Sequence, residues 1–152
     1  MSLLAATRPD EWNFPLFLHV LGAMALVGTL VLAGTGLAGV ARGDGARSLR
    51  LAYRSLLIGA LPAWIVMRVA AQWIADEEGL GDEPPQWLDI RFMTSEPTFL
   101  LLIVATILTG VGARKAARDG GGGTQGRIAA VLIAISLLAY VFAIWAMTTK
   151  PT

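Results

Sequence analysis

Arg68 is a charged side chain inside a long apolar segment, which makes it the first candidate for chemistry. Residues 56–75 contain no other charged side chain. An arginine at the centre of a membrane helix costs about 2.5–3.5 kcal/mol on insertion scales, so such residues usually face protein or water. Trp64 and Gln72 lie one helical turn on either side of Arg68, on the same stripe of a helix. They offer the guanidinium a cation–π partner and a hydrogen-bond partner.

His19, the only histidine, is the second candidate. In the topology derived below, His19 and Arg68 share a depth of roughly 8–12 Å beneath the outer boundary, at about 1.5 Å per residue. We therefore predict an outer-leaflet site for a small anionic or amphipathic ligand, formed by His19, Trp64, Arg68 and Gln72. The alternative is that Arg68 extends outward, toward the headgroups or toward an acid of the outer loop such as Asp76 or Glu78.

Four apolar blocks are predicted to position these side chains: 14–40, 56–75, 99–113 and 128–147. About 20 apolar residues cross a hydrocarbon layer of about 30 Å. The third block is short, and we expect it to span by extending to Arg114 and Lys115, whose side chains reach the headgroups. The sequence thus predicts one all-α domain over residues 1–152, a four-helix transmembrane bundle. Its helices are expected at about 14–41, 50–75, 97–115 and 127–147.

The composition excludes several other classes of protein. The chain is 55% hydrophobic and 15% charged, whereas soluble domains are roughly 25% charged. A soluble four-helix bundle would need polar outer faces, and residues 128–147 offer too few polar side chains for one. The absence of cysteine excludes disulfides and thiolate metal sites, and a net charge of +1 suggests no nucleic-acid-binding surface. No acid lies inside an apolar block and no nucleophile–base set is present, so an enzyme or proton-coupled transporter is not expected.

The sign of the charged residues differs from loop to loop. The first and third loops hold eight bases, and the second loop holds seven acids with one base, Arg91. Loops rich in lysine and arginine stay in the cytoplasm, which predicts both termini outside (N-out/C-out). The eight bases are Arg42, Arg47, Arg50, Arg54, Arg114, Lys115, Arg118 and Arg127.

The outer loop, residues 76–96, carries further signals. Its proline pair at 84–85 breaks any continuous helix, and residues 87–93 form a short amphipathic segment expected in the outer interface. Ser95, Glu96 and Pro97 are typical of a helix start. An outer aromatic belt is predicted from Trp12, Trp73, Trp87 and Trp145.

Small residues favour close packing of the first two helices. Ala25, Thr29 and Ala33 form a small-residue ridge on the first helix, and Gly59 with Ala63 forms one on the second. Pro62 removes a backbone hydrogen bond and is expected to kink the second helix before Arg68.

The first helix also carries a short motif, Phe17-Leu18-His19-Val20-Leu21-Gly22 followed by Gly28. It resembles the F-L-H-x-x-G-x-x-x-x-x-G opening of small bacterial integral membrane proteins, among them the copper-resistance D-type proteins and related four-helix families. The resemblance covers about 15 residues and has low specificity. It implies a four-helix membrane protein with His19 as a metal or haem ligand. The chain departs from these families in having no second histidine, so bis-histidine haem ligation within one subunit is excluded, whereas a His–Met pair stays open.

Three functions follow as hypotheses. The first is a non-enzymatic binding or accessory subunit with the outer-leaflet site. The second is a haem- or copper-binding membrane protein that uses His19, with haem b or copper as its cofactor. The first and third hypotheses expect no cofactor. The third is a purely structural subunit that packs against its own copy or a partner membrane protein. Arginine, glycine and alanine richness favours a bacterial plasma (inner) membrane, with the lipid bilayer as first partner and no nucleic acid.

Overall fold

The computed structural model describes residues 13–40, 42, 45–77 and 86–148. For residues 86–95 and 146–148 it describes the helical backbone only. Every regular element among these residues is a helix. The helices are α1 (Asn13–Val40), α2 (Gly45–Glu77), α3 (Gln86–Asp119) and α4 (Gly123–Thr148). Each contains a segment long and apolar enough to cross a membrane. The predicted all-α architecture with four candidate spans is confirmed.

The four helices form a bundle in which each packs against two neighbours. α1 packs against α2 and α4, and α3 packs against the same two helices. Leu30, Leu56, Leu102 and Ile133, one from each helix, are fully or almost fully buried in the common core. The outer faces are also apolar: the exposed fraction of Ile58, for example, is 73%. An outer surface of this kind suits hydrocarbon, which removes the soluble-bundle alternative.

The predicted start of the third helix at Ser95, Glu96 and Pro97 is wrong. α3 begins at Gln86, and Pro97 lies inside it. Proline in a helix interior removes one backbone hydrogen bond, but membrane helices tolerate this where the chain re-satisfies the freed groups. The predicted amphipathic segment 87–93 lies in the first turns of this helix, and its side chains are outside the described residues.

α2 also begins earlier than predicted, at Gly45, so Arg47, Arg50 and Arg54 lie on a helix and not in a loop. Arginine is a good helix former, and Leu49 and Ala52, which lie between these arginines, are buried in the bundle. These two effects explain why α2 begins before residue 56, where the uncharged block starts.

A π-helical segment over Ser55–Ala60 directly precedes the turn that contains Pro62, where a kink was predicted. At its end, the backbone N–H of Leu61 donates to the carbonyl of Leu56, the i→i+5 pattern of a π turn. The ring of a proline clashes with the carbonyl four residues earlier, here that of Ile58. The wider π turn accommodates the ring without ending the helix.

Two glycines allow α1 and α2 to approach closely. A Cβ atom added at Gly22 would lie 2.9 Å from the backbone nitrogen of Met67. Gly59 of α2 faces the side chain of Thr29 on α1, as the small-residue ridges predict. The two helices therefore meet backbone to backbone near Gly22, and the position of Met67 is fixed relative to α1.

We expect Gly22→Ala to destabilise the protein by about 1–3 kcal/mol, because the methyl group would push against the backbone of Met67. The matched control is Gly28→Ala on the same helix, where an added Cβ would meet nothing within 4 Å. Better helix propensity should make that control neutral or stabilising by up to about 1 kcal/mol. Thermal unfolding in mild detergent, followed by circular dichroism, measures both; equal shifts would contradict the close contact.

Candidate functional site

His19 is held at the contact between α1 and α2. Its Nδ1 donates a hydrogen bond to the backbone carbonyl of Met67, at 3.0 Å. Because a carbonyl only accepts, Nδ1 is the nitrogen that carries a proton. Gly22 lies one turn along α1 from His19, and its missing side chain lets the imidazole reach the α2 backbone. The imidazole is thus fixed next to the residue that precedes Arg68.

Arg68 belongs to a hydrogen-bonded chain along α2. Its Nη1 donates to Oε1 of Gln72 at 3.3 Å, and Nε2 of Gln72 donates to Oδ1 of Asp76 at 3.1 Å. The hydrogen bond expected between Arg68 and Gln72 is therefore present. Arg68 as a residue is of intermediate exposure, Gln72 and Asp76 are exposed, and the hydrogen bond between Arg68 and Gln72 is itself exposed. The chain directs the guanidinium toward the end of the helix, and the amide couples it to the carboxylate of Asp76.

Trp73 makes two side-chain contacts at the same end of α2. Nε1 of Trp73 donates to Oε1 of Glu77 at 3.2 Å, and its ring meets the edge of Phe14 at a centroid distance of 6.2 Å. Trp73 and Trp145 are both exposed near helix ends, as a belt requires. Trp12 and the side chain of Trp87 lie outside the described residues.

Trp64 faces the bundle interior, where its exposed fraction is only 9%. Its ring stacks on Phe99 of α3, with a centroid distance of 4.0 Å and an interplanar angle of 19°. The C-terminal half of α2 has few close backbone contacts with α3 compared with the N-terminal half. The two stacked rings fill the wider space between these helices.

The interior around Trp64 also contains polar atoms. The hydroxyl of Tyr140, on α4, lies beside the side chains of Trp64 and Thr98. Neither this hydroxyl nor Nε1 of Trp64 meets hydrogen-bond geometry with any described residue, although both atoms are buried. Burial of such groups without a partner is costly, so the cluster is an unusual feature of an otherwise apolar core.

The structure therefore divides the four predicted site residues into two groups. His19, Arg68 and Gln72 lie along the α1–α2 contact and the adjoining face of α2, and Trp64 lies inside the bundle. The sequence reasoning did not find Thr98, Phe99 and Tyr140. The available signal was weak, because Trp64 lies near the middle of its apolar block whereas Thr98 and Phe99 lie at the start of theirs.

Two side chains of this region can contact a ligand. The guanidinium of Arg68 provides hydrogen-bond donors for an anionic group, whereas the neutral imidazole of His19, whose proton is on Nδ1, offers Nε2 as an acceptor or a metal ligand. Among the described residues, no group of three or more His, Cys, Asp or Glu side chains is arranged to hold a metal ion.

Comparison with known proteins adds no assignment to this site. No family model, no curated protein and no solved structure matches the chain. A function must therefore be argued from the residues and contacts described above.

Proposed function

We propose that this protein is a multi-pass protein of a bacterial plasma membrane that acts as a non-enzymatic binding or accessory subunit. Four apolar helices and an apolar outer surface support the membrane location. The arginines and the lysine at the helix ends that flank the first and third connections support an orientation with both termini outside. The lipid bilayer and a second copy or a partner membrane protein are its expected partners.

The ligand of this subunit is a small anionic or amphipathic molecule bound at the outer end of α2. The observation that carries this proposal is the Arg68–Gln72–Asp76 chain, which holds the guanidinium of Arg68 on the face of a membrane span. A charge next to the low-dielectric interior of a membrane interacts more strongly with an anion than a charge in bulk water does. Arg68 supplies the charge and Gln72 orients it. His19 adds a second polar group, and Trp64 lies on the interior side of α2, where it stacks on Phe99.

Replacing Arg68 tests the binding site. The five tryptophans report on the outer end, so quenching of their fluorescence by 11-bromoundecanoate, a brominated fatty acid, measures binding to the purified protein. We expect Arg68→Gln to raise Kd about tenfold, since charge-assisted hydrogen bonds are worth about 1.5–3 kcal/mol. The matched control, Arg118→Gln at the other end of the bundle, should leave Kd unchanged. Equal Kd values for Arg68→Gln and the unmodified protein would refute the role of Arg68.

The orientation has a separate test, because the chain has no native cysteine. Single cysteines at Glu83, in the acidic loop, and at Gly121, in the glycine-rich loop, report on opposite sides of the membrane. In intact cells, a membrane-impermeant maleimide should label Glu83→Cys and should label Gly121→Cys only after permeabilisation. The reverse pattern would invert the topology and place the Arg68 site on the cytoplasmic side.

A haem- or copper-binding protein is the second candidate, and the hydrogen bond of His19 favours it. Histidine ligands commonly donate one ring nitrogen to a backbone carbonyl and bind the metal through the other, and His19 donates Nδ1 to Met67 in this way. His19 would hold the iron or copper through Nε2. The candidate predicts a Soret band or bound copper in the purified protein, lost in His19→Gln and kept in Thr35→Val. Protein with neither absorbance nor metal would eliminate it.

A further inference from the structure

The amphipathic start of α2, over Gly45–Arg54, carries a cluster of arginines that the outer-leaflet proposal does not use. Arg47, Arg50 and Arg54 follow helical spacing, so their side chains share one exposed face. They line one concave surface together with Ser48 and Leu51. Residues 45–54 contain no acid, and the preceding loop holds only Asp44, so the cluster carries an excess of positive charge.

The opposite face of the same segment is fixed in the bundle. Leu49 and Ala52 are fully buried. The side chain of Leu49 packs into a notch made by two glycines, since Cβ atoms added at Gly112 and Gly126 would lie 3.3 and 3.1 Å from it. The arginines therefore project from a rigid helix, and this preorganisation favours binding to a ligand of fixed shape.

We infer that Arg47, Arg50 and Arg54 form a site for a phosphate-bearing anion, in particular the headgroup of an anionic membrane lipid. Arginine pairs with phosphate oxygens through two parallel hydrogen bonds, and basic pockets at the cytoplasmic side of membrane helices bind lipid headgroups. The concave space is about 350 Å³. This volume is at the lower end of the range for small-molecule sites, so it suits a headgroup and not a whole lipid.

A second observation favours a lipid over free phosphate. One turn beyond Arg54, the side chains of Leu57 and Ile58 are 43% and 73% exposed. The surface of α2 thus changes from arginine to exposed aliphatic residues within a turn, and Leu51, 45% exposed, lies among the arginines. A phosphate bound by the arginines would place an attached acyl chain along these aliphatic side chains. This site uses none of the residues of the Arg68 site, so an experiment can refute either proposal and leave the other standing.

Native mass spectrometry of the full-length protein in mild detergent tests the inference. The probes are phosphatidylglycerol, phosphatidylcholine and inorganic phosphate, each added alone. We expect saturable binding of phosphatidylglycerol, weaker by about tenfold or more in R47Q/R50Q/R54Q. The matched control, R114Q/K115Q/R118Q, removes the same charge from the other basic loop and should change binding less than about twofold. The charge-conserving R47K/R50K/R54K should fall between them, because lysine lacks the planar fork.

The outcomes separate the possibilities. Equal loss in both glutamine triples would mean that general positive charge attracts the lipid, and would overturn the site, as would unchanged binding in R47Q/R50Q/R54Q. Binding of inorganic phosphate alone, lost in R47Q/R50Q/R54Q, would support the arginine site and identify free phosphate as the ligand. If the triple variant does not fold, the exposed single variant Arg50→Gln takes its place, with an expected loss of about threefold.

Discussion

The contact between Gly22 of α1 and the backbone of Met67 on α2 is the constraint on which the candidate site depends. It brings two helices together where a side chain on α1 would not fit. In a bilayer, burial of apolar surface does not drive helices together, so close packing and hydrogen bonds must do so. Here the close packing and the hydrogen bond involve the same residue, Met67: Gly22 packs against its backbone, and the imidazole of His19 donates to its carbonyl. The orientation of α2, and with it the direction of Arg68, follows from this contact.

From this fixed point, the C-terminal half of α2 presents different chemistry on different faces. Met67 faces α1, Trp64 faces α3, and Arg68 lies at the border of the exposed face. The chain from Arg68 through Gln72 to Asp76 leads away from the interior, whereas the polar atoms of Trp64 and Tyr140 are enclosed within it. This half of α2 therefore borders a charged surface region on one face and a neutral interior region on another.

The sequence predicted the spans well, because uncharged apolar blocks of about 20 residues are typical of membrane helices and rare in soluble domains. The true start of α3 was missed because Pro97 resembles a helix start, and only the tertiary structure shows that the helix continues through it. The hydrogen bond between Arg68 and Gln72 was predictable, since local spacing on one helix determines it. The stacking of Trp64 on Phe99 was not, because spacing along one helix says nothing about which neighbour an aromatic ring will meet.

The π-helical segment over Ser55–Ala60 acts as a phase shift in the periodicity of α2. A turn closed by an i→i+5 bond holds one residue more than an α turn, so the downstream face is turned back by about 100°. Arg54 and Arg68 lie almost a whole number of α-helical turns apart, and a continuous α-helix would have aligned them on one face. The π segment rotates the arginine cluster at the start of α2 away from Arg68. A single irregularity in the backbone thus lets one helix direct its positive charges to two separate surroundings near its two ends.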